Sequence, residues 1–429
     1  MILHIVEEMQ TFGFDRLIVV VGSKEDQVRA GLGDRVESVR QEEQLGTGNA
    51  VMQVAPRLPE QGVTVVLYGD VPLIRKEDIE RLLEVVTKQK QSALLTAVVA
   101  NPFGLGRIIR SEQGEILRIV EEKDATTEQR AVSEINSGLY AFSNPQLTTA
   151  LKELTADNAQ GEYLLTDCVE HIRAAGGKVV PVVVQDPDDI ASVNDRVQLA
   201  EAEEKMRRRI LQRHMISGVT IIDPSSTYVQ ADVVIGCDTV LLPGIHLEGC
   251  TIIGEDCKIG PHVRLQDVVI ADGVSIESSV LLSCSVDSGT AIGPFAFIRP
   301  GSVIGADVKI GDFVEVKNAT VGDHTKISHL SYVGDSDVGN NVNIGCGVVT
   351  VNYDGVRKHR TTIGDDSFIG SNVNLIAPVQ VARGGYVATG STITDDVAED
   401  GFAIARARQT TKPEYASQLR ARLEAKGGR

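Results

Sequence analysis

From residue 218 onward the chain repeats an aliphatic side chain at every sixth position. Ile235, Leu241, Leu247, Ile253, Ile259 and Leu265 keep this step. The register slips, resumes at Ile292, Ile298, Ile304, Ile310 and Val316, and returns at Ile363, Ile369, Leu375, Val381, Val387 and Ile393. Glycine often follows, as in Ile235-Gly236, Ile304-Gly305 and Ile369-Gly370. An α-helix cannot hold a strict six-residue period on one face. Three short strands per coil can, each contributing one inward aliphatic side chain, with small or polar residues at the corners. The pattern therefore predicts a parallel β-helix of hexapeptide repeats over residues 218–408. Composition agrees: 41 glycines suit tight corners, and 4% aromatics with no tryptophan suit a narrow interior of stacked Ile, Val and Leu.

Residues 1–193 follow a different rhythm. Apolar runs at Leu17 to Val21, Val63 to Leu67, Ser92 to Ala100 and Val179 to Val184 alternate with helical patterns at 76–89 and 160–175. That alternation predicts an α/β domain with a largely parallel sheet. Residues 194–217 are charged and free of Gly and Pro, and read as a connecting helix with Arg207, Arg208 and Arg209 on a solvated face. Residues 409–429 are charged, end in Gly-Gly-Arg, and read as a disordered tail.

The formal net charge of -17 argues against a nucleic-acid surface while leaving room for a local cationic pocket. No apolar run approaches the roughly 20 residues that span a bilayer. The six cysteines form no CxxC pair and are expected to be reduced thiols in a cytoplasmic protein.

Two places carry chemical signals. In the stretch VVLYGDVPLI, Asp70 closes an apolar strand, where open α/β sheets hold metals and phosphates. In the second half, the repeat is broken most strongly between Thr350 and Thr361, as expected for a loop expelled from the stack. Just before it, Lys317, His329, Tyr332 and Asn343 crowd together, with Arg299 ahead of them. Arg299 and Lys317 are 18 residues apart, one coil, so they are expected to stack as an anion-binding pair beside His329. A base beside a phosphate clamp suggests an amine or hydroxyl nucleophile on a sugar phosphate.

The blocks QEEQLGTGNA, LYGDVPLI, EINSG, NAQGEYLLTD, IGPFAFIRPG, SHLSYVGDS, NVNIGCG, NYDG and SNVNLIAPV give the chain a specific resemblance. It resembles the bacterial bifunctional N-acetylglucosamine-1-phosphate uridylyltransferase / glucosamine-1-phosphate N-acetyltransferase family over residues 1 to about 410. The resemblance implies a Rossmann-like nucleotidyltransferase domain followed by a left-handed β-helix that packs as a homotrimer. It implies acetyl transfer from acetyl-CoA to glucosamine 1-phosphate, with His329 as general base. Arg299 and Lys317 would hold the phosphate, and Tyr332 and Asn343 the sugar. Cys346, Asn352, Tyr353, Ser371, Thr389 and Arg406 would contact acetyl-CoA. Cys346 and Thr389 stand where the family carries small alanines, so altered packing against the cofactor is expected.

For the first half the resemblance implies uridylyl transfer from UTP to N-acetylglucosamine 1-phosphate with magnesium held by Asp70 and Asn194. Gln41, Gln44, Gly46 and Thr47 match the uracil segment. Tyr68, Gly69, Gly106, Glu121 and Asn136 match residues around the UDP-sugar. The family also implies a strand and a glycine-rich basic loop of the form LAAGxGTRM around the triphosphate. Residues 1–429 carry no such segment; Gly-Leu-Gly-Asp at 31 and Gly-Thr-Gly-Asn at 46 lack a basic continuation. The expectation is a misplaced start or a fragment, the alternative an inactive, loosely folded first domain. Either way, neighbouring strands are expected to lack a partner. Another sugar-phosphate nucleotidyltransferase and a non-enzymatic trimeric scaffold are the competing readings.

Overall fold

The computed structural model describes residues 1–22 and 24–426, which fall into two compact units, Met1–Met206 and Arg207–Arg429. The long helix Arg196–Ile216 runs through the division between them.

The first unit contains strands β1 (Ile18–Val21), β2 (Glu37–Arg40), β3 (Val63–Val66), β4 (Ser92–Val98), β5 (Arg107–Arg110), β6 (Ile116–Val120), β7 (Glu134–Ser143) and β8 (Val179–Val183). Six of them form one sheet in the order β6-β5-β7-β4-β8, with β3 also on β7. This sheet is mixed, not largely parallel: β3, β4 and β5 all run antiparallel to β7, and only β4 and β8 pair in parallel. The reason lies between β5 and β7, where the connections are too short for the helical crossover that parallel neighbours need. β1 and β2 form a separate parallel pair. Among the described residues β1 pairs only with β2, and β3 only with β7.

Helix Lys76–Gln89 buries Ile79, Leu82 and Val86 against this sheet, as its spacing predicts. The helix expected over 160–175 is shorter, Asp167–Ala174. Its first half is diverted into a loop because Tyr163 bonds the segment around residue 46 through both backbone groups, its N–H to Leu45 and its carbonyl from Gly48.

The second unit is a stack of coils whose strands form three parallel sheets of ten, nine and eleven strands. Inward side chains stand in register, for example Leu241 on Ile259 on Ile276 on Ile292 on Ile310 on Ile327. All six are essentially buried. The slips in the six-residue period are losses at corners. Ile253 pairs with Ile270 and Ile270 with Val286, at spacings below 18, while each strand keeps its place in the ladder.

No helix among the described residues is long and apolar enough to cross a membrane. All six cysteines are free, and Cys168, Cys257 and Cys284 are buried as small apolar residues. The tail is not disordered throughout: Tyr415–Lys426 is helical and exposed along its length, as its Ala, Leu, Arg and Lys content favours. The Gly-Gly-Arg end lies outside the described residues.

Because the interior is one continuous ladder, a gap in it is unsupported from either side. Ile259→Ala, at a fully buried rung far from the expelled loop, is expected to cost about 2–5 kcal/mol. A urea melt of the β-helical unit should show the lower midpoint.

Candidate active sites

In the second unit, the outward face of the ten-stranded sheet carries a site across its width. Its strands Phe297–Ile298, Glu315–Lys317 and Tyr332–Gly334 lie side by side, with Phe297 opposite Glu315 and Glu315 opposite Tyr332. Arg299 follows the first of these strands and donates its N–H to the Val316 carbonyl, which brings it level with Lys317 as the 18-residue spacing predicts.

Each cation has a carboxylate of its own. Arg299 pairs with Glu315 at 2.8 Å and Lys317 with the buried Asp335 at 3.2 Å. Burial pushes the Asp335 carboxyl up, but hydrogen bonds from Asn318, Lys317 and Asn352 outweigh it and hold the group below its ordinary range. A third cation, Lys358, stands beside Lys317, and that neighbouring ammonium lowers Lys358 from lysine's usual value. The corner therefore presents three cations against two carboxylates. The period gives no register inside the expelled loop, so Lys358 was not singled out. The Asp354-Gly355 dipeptide was the available signal, since it marks a tight turn that folds Lys358 back onto Tyr353.

Tyr332 lies flat over Gly334, where an added Cβ would collide with the phenol ring. Asn352 is buried, and its amide nitrogen reaches both the Tyr332 hydroxyl, at 3.3 Å, and Asp335. It is thus committed to holding this corner, while Tyr353 is exposed. The loop is pinned at both ends. Arg360 bonds Asp337 at 2.7 Å and the Ser336 carbonyl at 3.1 Å. At the tip, Asp354 accepts from the N–H groups of Val356 and Arg357 and meets the His359 ring at 2.7 Å.

His329 stands at the other edge of this face, on the corner entered from the eleven-stranded sheet. Its Nδ1 lies 2.6 Å from Asp312 Oδ1. Cys346, Ser371 and Thr389 occupy the same corner on successive coils, linked by Asn372 N–H to the Cys346 carbonyl and Gly390 N–H to the Ser371 carbonyl. Arg406 follows, exposed, with its chain near Gly390. Asn343 sits on the adjoining face, opposite Lys326 and Phe368. The base and four of the predicted cofactor residues, Cys346, Ser371, Thr389 and Arg406, thus form one column, while Asn352 and Tyr353 lie with the cation corner.

In the first unit, the Val193 N–H bonds the Asp70 carbonyl at 2.8 Å, which sets Asn194 next to Asp70. Asn194 donates Nδ2 to Ser192, leaving Oδ1 as its acceptor. One carboxylate and one amide oxygen suit magnesium, which keeps several waters and phosphate oxygens of its own. Gly69 is exposed in the turn between Tyr68 and Asp70. Burial pushes the Tyr68 hydroxyl to about 12, opposed by a hydrogen bond with Thr47. Gly138, at φ +75°, leaves room for the Tyr68 ring. Glu121 faces Gly106, and its carboxyl is raised chiefly by burial. Asn136 bonds the Gly138 N–H and the Tyr140 hydroxyl, and Gln41 reaches the Gly46 carbonyl. Gly138, which seats the Tyr68 ring, is not among the residues that the motifs single out.

Comparison with known proteins gives this arrangement a context. The chain is 52% identical to "Bifunctional protein GlmU" of Brevibacillus brevis, covering 98% of this chain and 91% of that protein. It is 53% identical to the Acetivibrio thermocellus protein of the same name, covering 96% and 90%. The chain belongs to the bifunctional GlmU family. A MobA-like NTP transferase domain matches residues 1–158, and the six-repeat bacterial transferase hexapeptide matches 232–267. The C-terminal domain of GMPPB matches residues 280–375. The hexapeptide match fits a left-handed coil for the GlmU β-helix.

The loop that carries Lys358 makes a pH prediction. Hydrogen bonds from the Arg357 N–H, the His359 ring and the Val356 N–H hold Asp354 at about 2, below its ordinary 3.8. A depressed carboxylate stabilises the folded loop fully above about pH 4 and loses that effect as pH falls toward 2. Amide exchange of residues 352–360, corrected for intrinsic rates, should rise over this window. Asp354→Asn should raise it at neutral pH.

Proposed function

We propose that the second unit transfers the acetyl group of acetyl-CoA to the amine of glucosamine 1-phosphate. The first unit then transfers the uridylyl group of UTP to N-acetylglucosamine 1-phosphate. The observation that carries the first step is the shared face: His329 at one edge, the Arg299, Lys317 and Lys358 corner at the other, and Tyr332 between them.

In the acetyl transfer, the cation corner holds the sugar phosphate, with Tyr332 and Asn343 on the sugar. Acetyl-CoA lies along the column of Cys346, Ser371, Thr389 and Arg406, and the exposed Tyr353 stands at the cation corner. The amine attacks the thioester carbon while His329 Nε2 takes its proton; the CoA thiolate leaves and recovers that proton from the imidazolium. Cys346 and Thr389 change the packing against the cofactor without closing the column, since both are exposed.

In the uridylyl transfer, Gln41, Gly46, Thr47 and Tyr68 take the nucleotide, and Gly106, Glu121 and Asn136 take the sugar. Asp70 and Asn194 hold magnesium, which when bound neutralises charge on the phosphates. Asp70→Ala should abolish UDP-N-acetylglucosamine synthesis while leaving CoA release with glucosamine 1-phosphate unchanged; unchanged synthesis would exclude Asp70 as the magnesium ligand.

The same reading includes a cytoplasmic homotrimer. Phe295, Phe313 and Leu330, at φ +61°, +56° and +43°, present a stacked, exposed apolar corner beside His329. Sedimentation of the native chain should give a trimer, and Phe313→Ser should weaken it.

The acetyl-transfer reading is checked by two variants. His329→Ala should lower kcat about 10²- to 10⁴-fold. Lys358→Ala should raise KM for glucosamine 1-phosphate about tenfold or more, as expected for losing one charge-assisted contact. Unchanged turnover in His329→Ala would exclude the histidine as base.

A further inference from the structure

Strands of the eleven-stranded sheet are two residues long with two exceptions, Lys309–Asp312 and Lys326–His329, each of four residues. These neighbours hold parallel register past the usual corner, so that Lys309 faces Lys326, Ile310 faces Ile327, and Asp312 faces His329. The extension depends on Gly311, where any Cβ would collide with the Ser328 carbonyl oxygen. Immediately after the pair, Phe313 and Leu330 adopt positive φ and turn the chain, and Leu330 N–H bonds the Asp312 carbonyl at 2.9 Å. The fold lengthens its strands at the one place that brings a carboxylate alongside the histidine.

We infer that Asp312 is the positioning residue for His329; this rests on the reading of His329 as the base. An ionised carboxylate only accepts, so Asp312 requires the hydrogen of the neutral ring on Nδ1 and leaves the lone pair on Nε2. That bond also restrains the ring orientation, as the third group does in other base-orienter pairs. The ring in turn holds the Asp312 carboxyl below its ordinary range through that hydrogen bond. The other charged groups nearby serve elsewhere: Glu315 is paired with Arg299, and Lys309 and Lys326 are cations with nothing to accept an N–H. Ser331 bonds the His329 carbonyl, not its ring.

The test uses the full chain with ¹⁵N-labelled histidine, the His329 ring being assigned by its absence in His329→Gln. The neutral ring should show the Nδ1–H tautomer in the native chain and lose it in Asp312→Ala. Asp312→Asn, which keeps the side-chain shape, should lower kcat for acetyl transfer about 10- to 100-fold. KM for both substrates should stay within about twofold, because Asp312 touches neither. A native ring in the Nε2–H tautomer overturns the inference, even if the variants fail to fold. So does Asp312→Asn with native kcat when His329→Gln is inactive, and in that case the base stands. If His329→Gln keeps native turnover, the reading of the base itself falls.

Discussion

Every coil of the β-helix is hydrogen-bonded to its neighbours in fixed parallel register, at the roughly 4.8 Å spacing of adjacent strands. Side chains one coil apart are therefore held together whatever their own chemistry prefers. This sets like charges such as Lys309 and Lys326 opposite each other, brings Arg299 level with Lys317, and lines up Cys346, Ser371 and Thr389 on one corner. The buried ladder of Ile, Leu and Val supplies the stabilisation, and the outward positions carry the chemistry.

The acetyl-transfer site arises where two departures from the regular coil meet. One lengthens two strands so that Asp312 reaches His329. The other expels the loop of residues 352–360, moving the next rung from Val338 to Ile363. The loop folds Lys358 back to Lys317, two coils before the one it leaves, and seals the back of the corner with Asn352. Thr350 shows how tightly the interior adjusts: it replaces an aliphatic rung, is fully buried, and uses its hydroxyl on the Gly334 backbone.

Much of this was legible in the sequence because a six-residue period translates directly into position. The inward rungs, the expelled loop and the Arg299–Lys317 stacking all follow from counting. Their carboxylate partners do not. Glu315 lies on a strand and Asp335 in the corner after Gly334, and only the fold decides which cation each one meets. Lys358 sits where the count stops. In the first unit the period was weaker, and errors followed. Residues 160–175 look helical throughout, yet the Tyr163 backbone is taken by Leu45 and Gly48 and the Leu165 N–H by the Thr47 hydroxyl. The run of strands from β5 to β7 without an intervening long helix was the overlooked sign of antiparallel pairing.

The loop's two anchors, Arg360 on Asp337 and Asn352 on Asp335, both grip the far side of the coil that carries His329, next to Lys317, and neither bonds the strands bearing Asp312 and His329. Grip on the phosphate and proton handling are thereby built on different strands of the same two coils. Substitutions in the loop tip can retune how strongly a sugar phosphate is retained while leaving the base undisturbed. The two traits are free to drift at different rates, a modularity that a single rigid pocket would not allow.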